Sequence, residues 1–278
     1  MILARDARKA VVIRRGPSKC VCTMEWDRDT DQFTMGQWMR GMIRERFSDL
    51  SPDGKHFIYS AYRPQSRKAE ELTVISVAPY LKAIGLWAGN AFIDGKLIGF
   101  STGGGGVFVS NTAYAMHRIY FFGPPYEEFQ PIDLREVEDS YSPYHTGDIG
   151  GLGSYPIRLQ WGGWTRGDAT EEDRHHRLTF SRDIGCNWVL EKIVHVNWRP
   201  GSPRSKGSIY ETHRLIHRAT RVIHDRPLWE WADLDRDRLV WAEGGSLWAG
   251  RVTPYEVADV RLLHDFNGMR FKAIRAPY

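Results

Sequence analysis

The sequence has few cysteines and no long apolar run. Only Cys20, Cys22 and Cys186 occur among 278 residues, too few to cross-link a chain of this size, so nothing favours an oxidising compartment. Cys20 and Cys22 lack the second pair of ligands that a structural zinc site needs. The apolar run at 10–13 is too short for a signal peptide, and no segment approaches the ~18 to 20 apolar residues of a membrane-spanning helix. We therefore expect a cytoplasmic protein that does not associate with membranes.

An excess of charge of one sign is also missing. The chain carries 38 Lys and Arg against 34 Asp and Glu, a formal net charge of +4, and the interleaving of the two signs disfavours a nucleic-acid partner. The nucleophile-elbow motif G-x-S-x-G does not occur, and the four glycines at 103–106 lack the lysine of a phosphate-binding loop. These absences favour a protein without a cofactor and without catalytic activity. A pair of hydrolytic carboxylates, however, is defined by its separation in space and has no sequence signature.

Aromatic residues and turn formers are abundant. The chain contains 11 Trp, 12 Tyr and 12 Phe beside 27 Gly and 14 Pro, a mixture typical of many short strands joined by turns. Apolar and polar residues alternate at 10–14, 21–26 and 32–38, and a polar turn segment at 27–31 joins the last two. The sequence thus predicts an all-β protein that begins with an antiparallel meander.

The segment Leu50-Ser51-Pro52-Asp53-Gly54 predicts a tight turn between two strands. Pro52 presets φ for the first central position, and Gly54 supplies a positive φ. This motif, followed by alternating residues at 56–60, closely resembles the Ser-Pro-Asp-Gly motif of TolB-like, WD40-like β-propellers. The resemblance implies that the turn links the innermost strand of one blade to the next strand outward. Together with the opening residues, this region is also similar to a group of bacterial proteins, a similarity that implies no activity.

A second segment, 231–252, repeats the plan of an acidic turn, an alternating strand, a Gly-Gly turn and another alternating strand. Its Asp233 follows Asp49 by 184 residues, or four intervals of 46, and propeller blades repeat every ~40 to 50 residues. We therefore expect one domain over 1–278, a β-propeller of about five antiparallel, four-stranded blades. A partly irregular β-sandwich is the alternative fold.

Two parts of the chain depart from a regular repeat. The segment 123–176 is rich in glycine, proline and acidic residues, which predicts a long loop or an insertion. The first blade lacks a visible innermost strand, and the tail at 269–275 has the alternation of one. We expect this tail to pair with the N-terminal strands and close the ring, because closure removes two exposed sheet edges.

Histidines and acidic residues raise the question of a metal site. The triplets at 27–31 and 233–237 begin like calcium loops but lack the glycine and glutamate required at the sixth and twelfth positions. His213 and His217 have zincin-like spacing without the glutamate that follows the first histidine of that motif. On a strand they would share one face with Glu211. We predict no metal site and retain Glu211, His213 and His217 as the candidate ligands to examine.

Tryptophan clusters are the main candidates for ligand contact. Exposed tryptophan stacks on sugars and bases and anchors protein interfaces, whereas blade cores also need large aromatic residues. Two glycines separate Trp161 from Trp164, which favours a loop at this point. Nearby arginines would attract carboxylates or other anions. The predicted binding residues are Trp161, Trp164, Arg158, Arg166, Trp229 and Trp231.

The leading functional hypothesis is a non-catalytic β-propeller that recognises a protein partner through one face of the disc, because loops on a rigid scaffold carry function. One alternative is a glycan-acting hydrolase or lyase that uses tryptophan and carboxylate residues at the central channel. Another is binding of single-stranded nucleic acid by arginine and tryptophan together.

Overall fold

The structure is a computed structural model that describes most of the chain. The described residues are 1–16, 19–63, 70–88, 97–100, 106–110, 118–121, 130–131, 152, 155–172, 175–197 and 209–278. Within them the secondary structure is almost entirely β-strand, and one helix, α1, spans Tyr155–Trp161. None of the described helical residues forms a segment long and apolar enough to cross a membrane.

The strands form antiparallel sheets in which neighbours in sequence are neighbours in space. The first sheet contains β1 (Ile2–Leu3), β2 (Lys9–Arg15), β3 (Cys20–Asp27) and β4 (Gln32–Arg40). The second contains β5 (Met42–Leu50), β6 (His56–Arg63), β7 (Glu70–Val77) and β8 (Ala83–Ala88). The meander predicted at 10–14, 21–26 and 32–38 is therefore confirmed as β2, β3 and β4.

The later strands follow the same plan. The third sheet is formed by backbone pairing of β9 (Leu97–Phe100), β10 (Gly106–Ser110), β11 (Arg118–Phe121) and β12 (Gln130–Pro131). The fourth sheet contains β13 (Thr165–Glu172), β14 (His175–Gly185), β15 (Trp188–Asn197), β16 (Ile209–His217) and β17 (Ile223–Arg226). The fifth contains β18 (Trp229–Asp235), β19 (Arg238–Glu243), β20 (Ser246–Val252) and β21 (Val257–Asp265).

An up-and-down order of four strands is the plan of a propeller blade. The predicted all-β architecture of antiparallel, propeller-type sheets is therefore confirmed. Of the five sheets, four have described side chains, which is one fewer than the five blades expected. The third sheet is described by its backbone pairing alone.

The chain divides into two compact units. Unit 1 comprises Met1–Arg158 and Arg270–Tyr278, and unit 2 comprises Leu159–Met269. The single domain over 1–278 was inferred from the repeat alone and stays a prediction.

The core of unit 1 follows from alternation along its strands. Phe57 and Tyr59, two residues apart on β6, point to one face and are almost completely buried. Their rings stack with centroids 5.0 Å apart, and Leu50 lies opposite Phe57 across β5 and β6. Burial of each such side chain contributes about 1.5 to 3 kcal/mol.

The Ser-Pro-Asp-Gly segment forms the turn that its residues predict. Gly54 has a φ of +74°, and its N–H donates to Ser51 O at 2.8 Å. The Ser51 hydroxyl donates to Asp53 Oδ1 at 2.6 Å, and the same oxygen accepts the N–H of Lys55 at 3.0 Å. The turn joins β5 to β6, the first two strands of their sheet, as the propeller resemblance implies.

The predicted closing strand is wrong. No strand is found in 266–278, and the first sheet obtains its first strand from β1, which pairs Ile2 with Val11. A two-residue strand is too short to be seen as alternation in the sequence. The tail instead packs in unit 1, where Gln37 Nε2 donates to Ile274 O at 2.8 Å.

The described strands do not match the equal spacing of 46 residues. Among them, Asp49 lies on the first strand of the second sheet and Asp233 on the first strand of the fifth, three sheets later, whereas four intervals were predicted. The fourth sheet has five strands, so its repeat is longer. The predicted insertion within 123–176 falls largely outside the described residues, and its described part includes α1 and β13.

Candidate functional site

A buried ionic cluster lies in unit 2 and consists of Lys192, Glu211 and His213. Lys192 Nζ is 3.5 Å from Glu211 Oε2, and His213 Nε2 is 3.9 Å from the same oxygen. The side chains of Lys192 and His213 are 0% exposed, and that of Glu211 is 9% exposed. A lysine so deeply buried is rare in proteins unless it is paired.

Strand register brings the cluster together. Lys192 on β15 lies directly opposite His213 on β16. On β15, Leu190, Val194 and Lys192 share the buried face, so the lysine interrupts an otherwise apolar row. Desolvation of an ammonium group costs several kcal/mol, which the Glu211 carboxylate offsets in part.

Trp164 covers the ammonium group of this cluster. Lys192 Nζ lies 4.7 Å from the centroid of the Trp164 ring, a cation–π contact. The indole Nε1 donates to Asp233 Oδ2 at 3.3 Å, and Asp233 Oδ1 is 2.5 Å from Arg182 Nη1. One side chain therefore contacts the cation of one buried pair and the anion of another.

His213 is held as a neutral imidazole. Burial, which is the largest cause, and the positive charge of Lys192 together lower its pKa from 6.5 to about 3, and Glu211 only partly opposes them. Its Nδ1 donates to Trp229 O at 3.2 Å, which leaves a lone pair on Nε2. That nitrogen is buried without a hydrogen-bond partner among the described residues.

The aromatic candidates fall into buried and half-buried positions. Trp164 is 3% exposed and Trp229 is 6% exposed, and contact of these two rings with a ligand stays a prediction. Trp229 stacks on Trp241 with centroids 5.0 Å apart. Trp161, at the end of α1, and Trp231, on β18, are half-buried, and their role in ligand contact stays a prediction.

The arginine candidates do not share one environment. Arg158 Nη1 donates to the backbone oxygen of Glu45 at 3.2 Å and also to that of Ser48. Pairing between β5 and β6 shifts between Arg44 and Ser48, so these carbonyls lie at an irregularity of the strand. Arg158, the last residue of this segment of unit 1, thus contacts β5 of the same unit. Arg166 lies half-buried on β13 in unit 2.

The irregularity of β5 between Arg44 and Ser48 carries more arginine than acidic side chains. Glu45 pairs with Arg15 at 2.7 Å and with Arg46 at 3.3 Å. Burial acts to raise the pKa of Glu45, but the two guanidinium groups outweigh it, and the pKa lies below its ordinary value.

The structure brings together only two of the three candidate metal ligands, Glu211 and His213. Along β16, His213 and His217 are four residues apart, a distance of about 13 Å in a strand and too long for one ion. His217 Nδ1 accepts the N–H of Thr220 at 3.2 Å, and its ring packs against Trp188. Among the described residues no three or more His, Cys, Asp or Glu side chains converge. Glu211 and His213 meet Lys192 instead.

Sequence reasoning missed two groups of side chains. Lys192 lies in a strand of mostly apolar and β-branched residues. A lysine at a position that the alternation assigns to the buried face was the available signal. His175 and His195 contact each other across β14 and β15, with nitrogen atoms 3.1 Å apart. Only the pairing of the two strands brings them together.

No family model matches the chain, and no curated protein matches it. Three solved structures are similar over most of its length. An acylaminoacyl peptidase from Pyrococcus horikoshii is 12% identical, with 96% of this chain and 45% of the peptidase covered and a TM-score of 0.35. The β-propeller domain of a trilobed protease from Pyrococcus furiosus is 12% identical over 95% and 80% of the two chains, with a TM-score of 0.26. A putative 6-phosphogluconolactonase from Bacteroides uniformis is 8% identical over 95% and 85%, with a TM-score of 0.30.

The chain spans less than half the length of the peptidase. Similarities at these TM-scores assign no activity, substrate or partner to this chain.

Proposed function

We propose that the protein is a non-catalytic binding module for a protein partner, and that the partner contacts β21, the last strand of the fifth sheet. The observation that carries the proposal is the pair Val260 and Leu262 on β21, whose exposed fractions are 52% and 48%. Burial of apolar surface of this kind against a partner is favourable, because it removes that surface from water.

Exposed apolar residues recur at the last strand of other sheets. Ile84 and Leu86 lie on β8, the last strand of the second sheet, and are 39% and 55% exposed. Ile223 on β17, the last strand of the fourth sheet, is 54% exposed. Single exposed apolar residues are ordinary, but their repetition on the last strands of three sheets supports contact with a partner there.

The strand that carries Val260 is held firmly by its sheet. Arg251 on β20 pairs with Asp259 on β21 at 2.8 Å. A Cβ atom added to Gly250 would lie 2.5 Å from Val257 Cγ1 and 3.4 Å from Val260 Cγ2, so the glycine allows β21 to pack closely. An apolar pair on an ordered strand, with charged residues beside it, has the composition of a small protein interface.

Buried acids support binding over hydrolysis. A glycan-acting enzyme needs two carboxyl groups that flank a bond of the substrate. Asp233, which accepts the indole N–H of Trp164, is paired with Arg182, and Glu211 is buried and paired with Lys192. Their carboxylates are engaged by the protein itself.

Site-specific cross-linking tests the proposal. A photoreactive amino acid at position 260 is compared with the same group at position 255, because Tyr255 is 88% exposed but lies in a turn. We expect one protein to be cross-linked at 260 and not at 255. Calorimetry with that purified partner then compares Val260→Ser/Leu262→Ser with Tyr255→Ala, and we expect at least a tenfold loss of affinity in the double variant alone.

Three results would contradict the proposal. They are equal cross-linking at both positions, a partner affinity that the double variant leaves unchanged, and hydrolysis of a glycan by the purified protein. Binding of single-stranded DNA that collapses between 50 and 200 mM salt would favour the nucleic-acid alternative.

A further inference from the structure

Two imidazole rings meet on the face of the fourth sheet opposite the buried ionic cluster. His175 on β14 and His195 on β15 are half-buried, and His175 Nε2 lies 3.1 Å from His195 Nδ1. Their rings are nearly parallel, at 28°, with centroids 5.2 Å apart. Val194 and Val196, on either side of His195 in β15, point to the core, so His195 points away from it.

The strand beyond His195 fixes the orientation of its ring. His195 Nε2 is 2.9 Å from Thr212 Oγ1, and its ring stacks on Tyr210 at 4.5 Å with an interplanar angle of 10°. When Nε2 carries the proton and donates to Thr212, the lone pair of Nδ1 faces His175. A hydrogen bond of this kind behind a ligand fixes its tautomer and raises its basicity in metal sites.

The spacing of the two nitrogen atoms suits a divalent transition-metal ion. With metal–nitrogen bonds of about 2.05 Å, two nitrogens 3.1 Å apart subtend an angle of about 98° at the ion. This angle lies between those of octahedral and tetrahedral sites. Imidazole is a preferred ligand of Zn²⁺, Cu²⁺ and Ni²⁺.

We infer that His175 and His195 form an exchangeable binding site for a divalent transition metal such as Zn²⁺, Ni²⁺ or Cu²⁺. Without metal, one nitrogen of the pair donates its proton to the other. With metal, both nitrogens supply lone pairs to the ion, and the proton on His175 Nε2 is replaced by one on Nδ1 of the same ring. The described residues supply two ligands, and water completes the coordination, so the site is open and weaker than a structural zinc site.

His176 provides a matched control. It follows His175 directly, points to the opposite face of β14, and its Nε2 lies 3.6 Å from Glu171 Oε1. A variant at this position removes a neighbouring histidine and leaves the pair intact. A loss of affinity that came only from the reduced number of histidines would therefore also appear in His176→Ala.

Calorimetric titration of the chelator-treated full chain with Zn²⁺ and with Ni²⁺ at pH 7.5 tests the site. We expect one ion per chain, a loss of affinity of about tenfold or more in His195→Ala and in His175→Gln, and unchanged affinity in His176→Ala. In Thr212→Val both ligands remain but His195 loses its orienting hydrogen bond, and we expect a loss of affinity smaller than in either histidine variant. Binding should weaken as pH falls, because protons compete with the ion for the imidazole nitrogens.

Copper paramagnetic resonance gives a second readout on the unaltered protein. We expect hyperfine coupling to two imidazole nitrogens in the wild type and to one in His175→Gln. The inference is overturned if no ion binds, if affinity survives in both histidine variants, or if His176→Ala loses affinity to the same extent. Circular dichroism of each variant separates loss of the site from loss of the fold.

Discussion

Asp49 and Asp233 make the same contacts in two different sheets. Each carboxylate accepts the backbone N–H of the next residue, Leu50 at 2.9 Å and Leu234 at 2.8 Å. Each also pairs with an arginine from elsewhere in the chain, Arg5 at 3.6 Å and Arg182 at 2.5 Å. Both aspartates lie on the first strand of a sheet, so the sequence positions matched as repeats are also equivalent in structure.

We expect Asp233→Ala and Asp49→Ala each to lower the free energy of unfolding by about 2 to 4 kcal/mol, because each leaves a mostly buried guanidinium group without its carboxylate. Urea denaturation measures the change. Asp237→Ala removes an exposed acid from the turn after β18 and should change stability by less than about 0.5 kcal/mol. Equal effects in all three variants would contradict a structural role for the two pairs.

Lys192→Met should lower the free energy of unfolding by about 3 to 5 kcal/mol, since it leaves the Glu211 carboxylate buried without its cation. The double variant Lys192→Met/Glu211→Leu removes both charges and should recover most of that loss. Denaturant unfolding of the two single variants and the double variant gives the coupling energy directly. Additive losses would show that the two charges act independently.

Stability should depend on pH through His213. Its pKa in the folded protein is about 3, against an ordinary value of 6.5, so the unfolded chain binds the proton more readily. The contribution of the neutral ring is complete above pH 6.5 and declines as pH falls from 6.5 towards 3, with a slope on the order of 1 kcal/mol per pH unit. Unfolding at pH 7.5 and 5 should show this decline in the wild type and a weaker one in His213→Gln.

His224 is the matched control for that measurement, because it is an exposed histidine on β17. His224→Gln should keep the wild-type pH profile. A His213→Gln profile that parallels the wild type between pH 7.5 and 5 would rule out His213 as the source of the decline.

Gly36→Ala should destabilise unit 1 by several kcal/mol. A Cβ atom at this position would lie 2.3 Å from Pro79 O and 2.9 Å from Thr23 O, and backbone atoms cannot move aside as a side chain can. Gly268→Ala is the control, because nothing lies within 4 Å of its added Cβ atom. Thermal unfolding compares the two variants, and a Gly36→Ala protein as stable as the control would contradict the packing described.

The sequence predicted strands well where the two faces of a strand differ in polarity. Alternation at 10–14 and 21–26 has its counterparts in β2 and β3, and the turn at Pro52 and Gly54 forms because those residues fix its backbone angles. It failed for β1, whose two residues are too few to show a period. It also failed for the spacing of sheets, because one sheet has an additional strand.

Side-chain clusters were harder to predict, since they depend on the pairing of strands distant in sequence. Glu211 and His213 were recognised as neighbours, but their partner Lys192 is set by the register between β15 and β16. The same holds for His175 and His195. Trp164 was expected on an exposed loop, yet its indole nitrogen has a buried carboxylate as its acceptor.

The position of Trp164 has a consequence for protein engineering. Its ring touches an ammonium group and its nitrogen touches a carboxylate, so substitutions at Lys192 and at Asp233 share a neighbour. Stability effects measured separately at those two sites should not be summed in designing a combined variant. Replacement of the indole by a phenyl ring, which keeps the aromatic face and deletes the donor, would uncouple them.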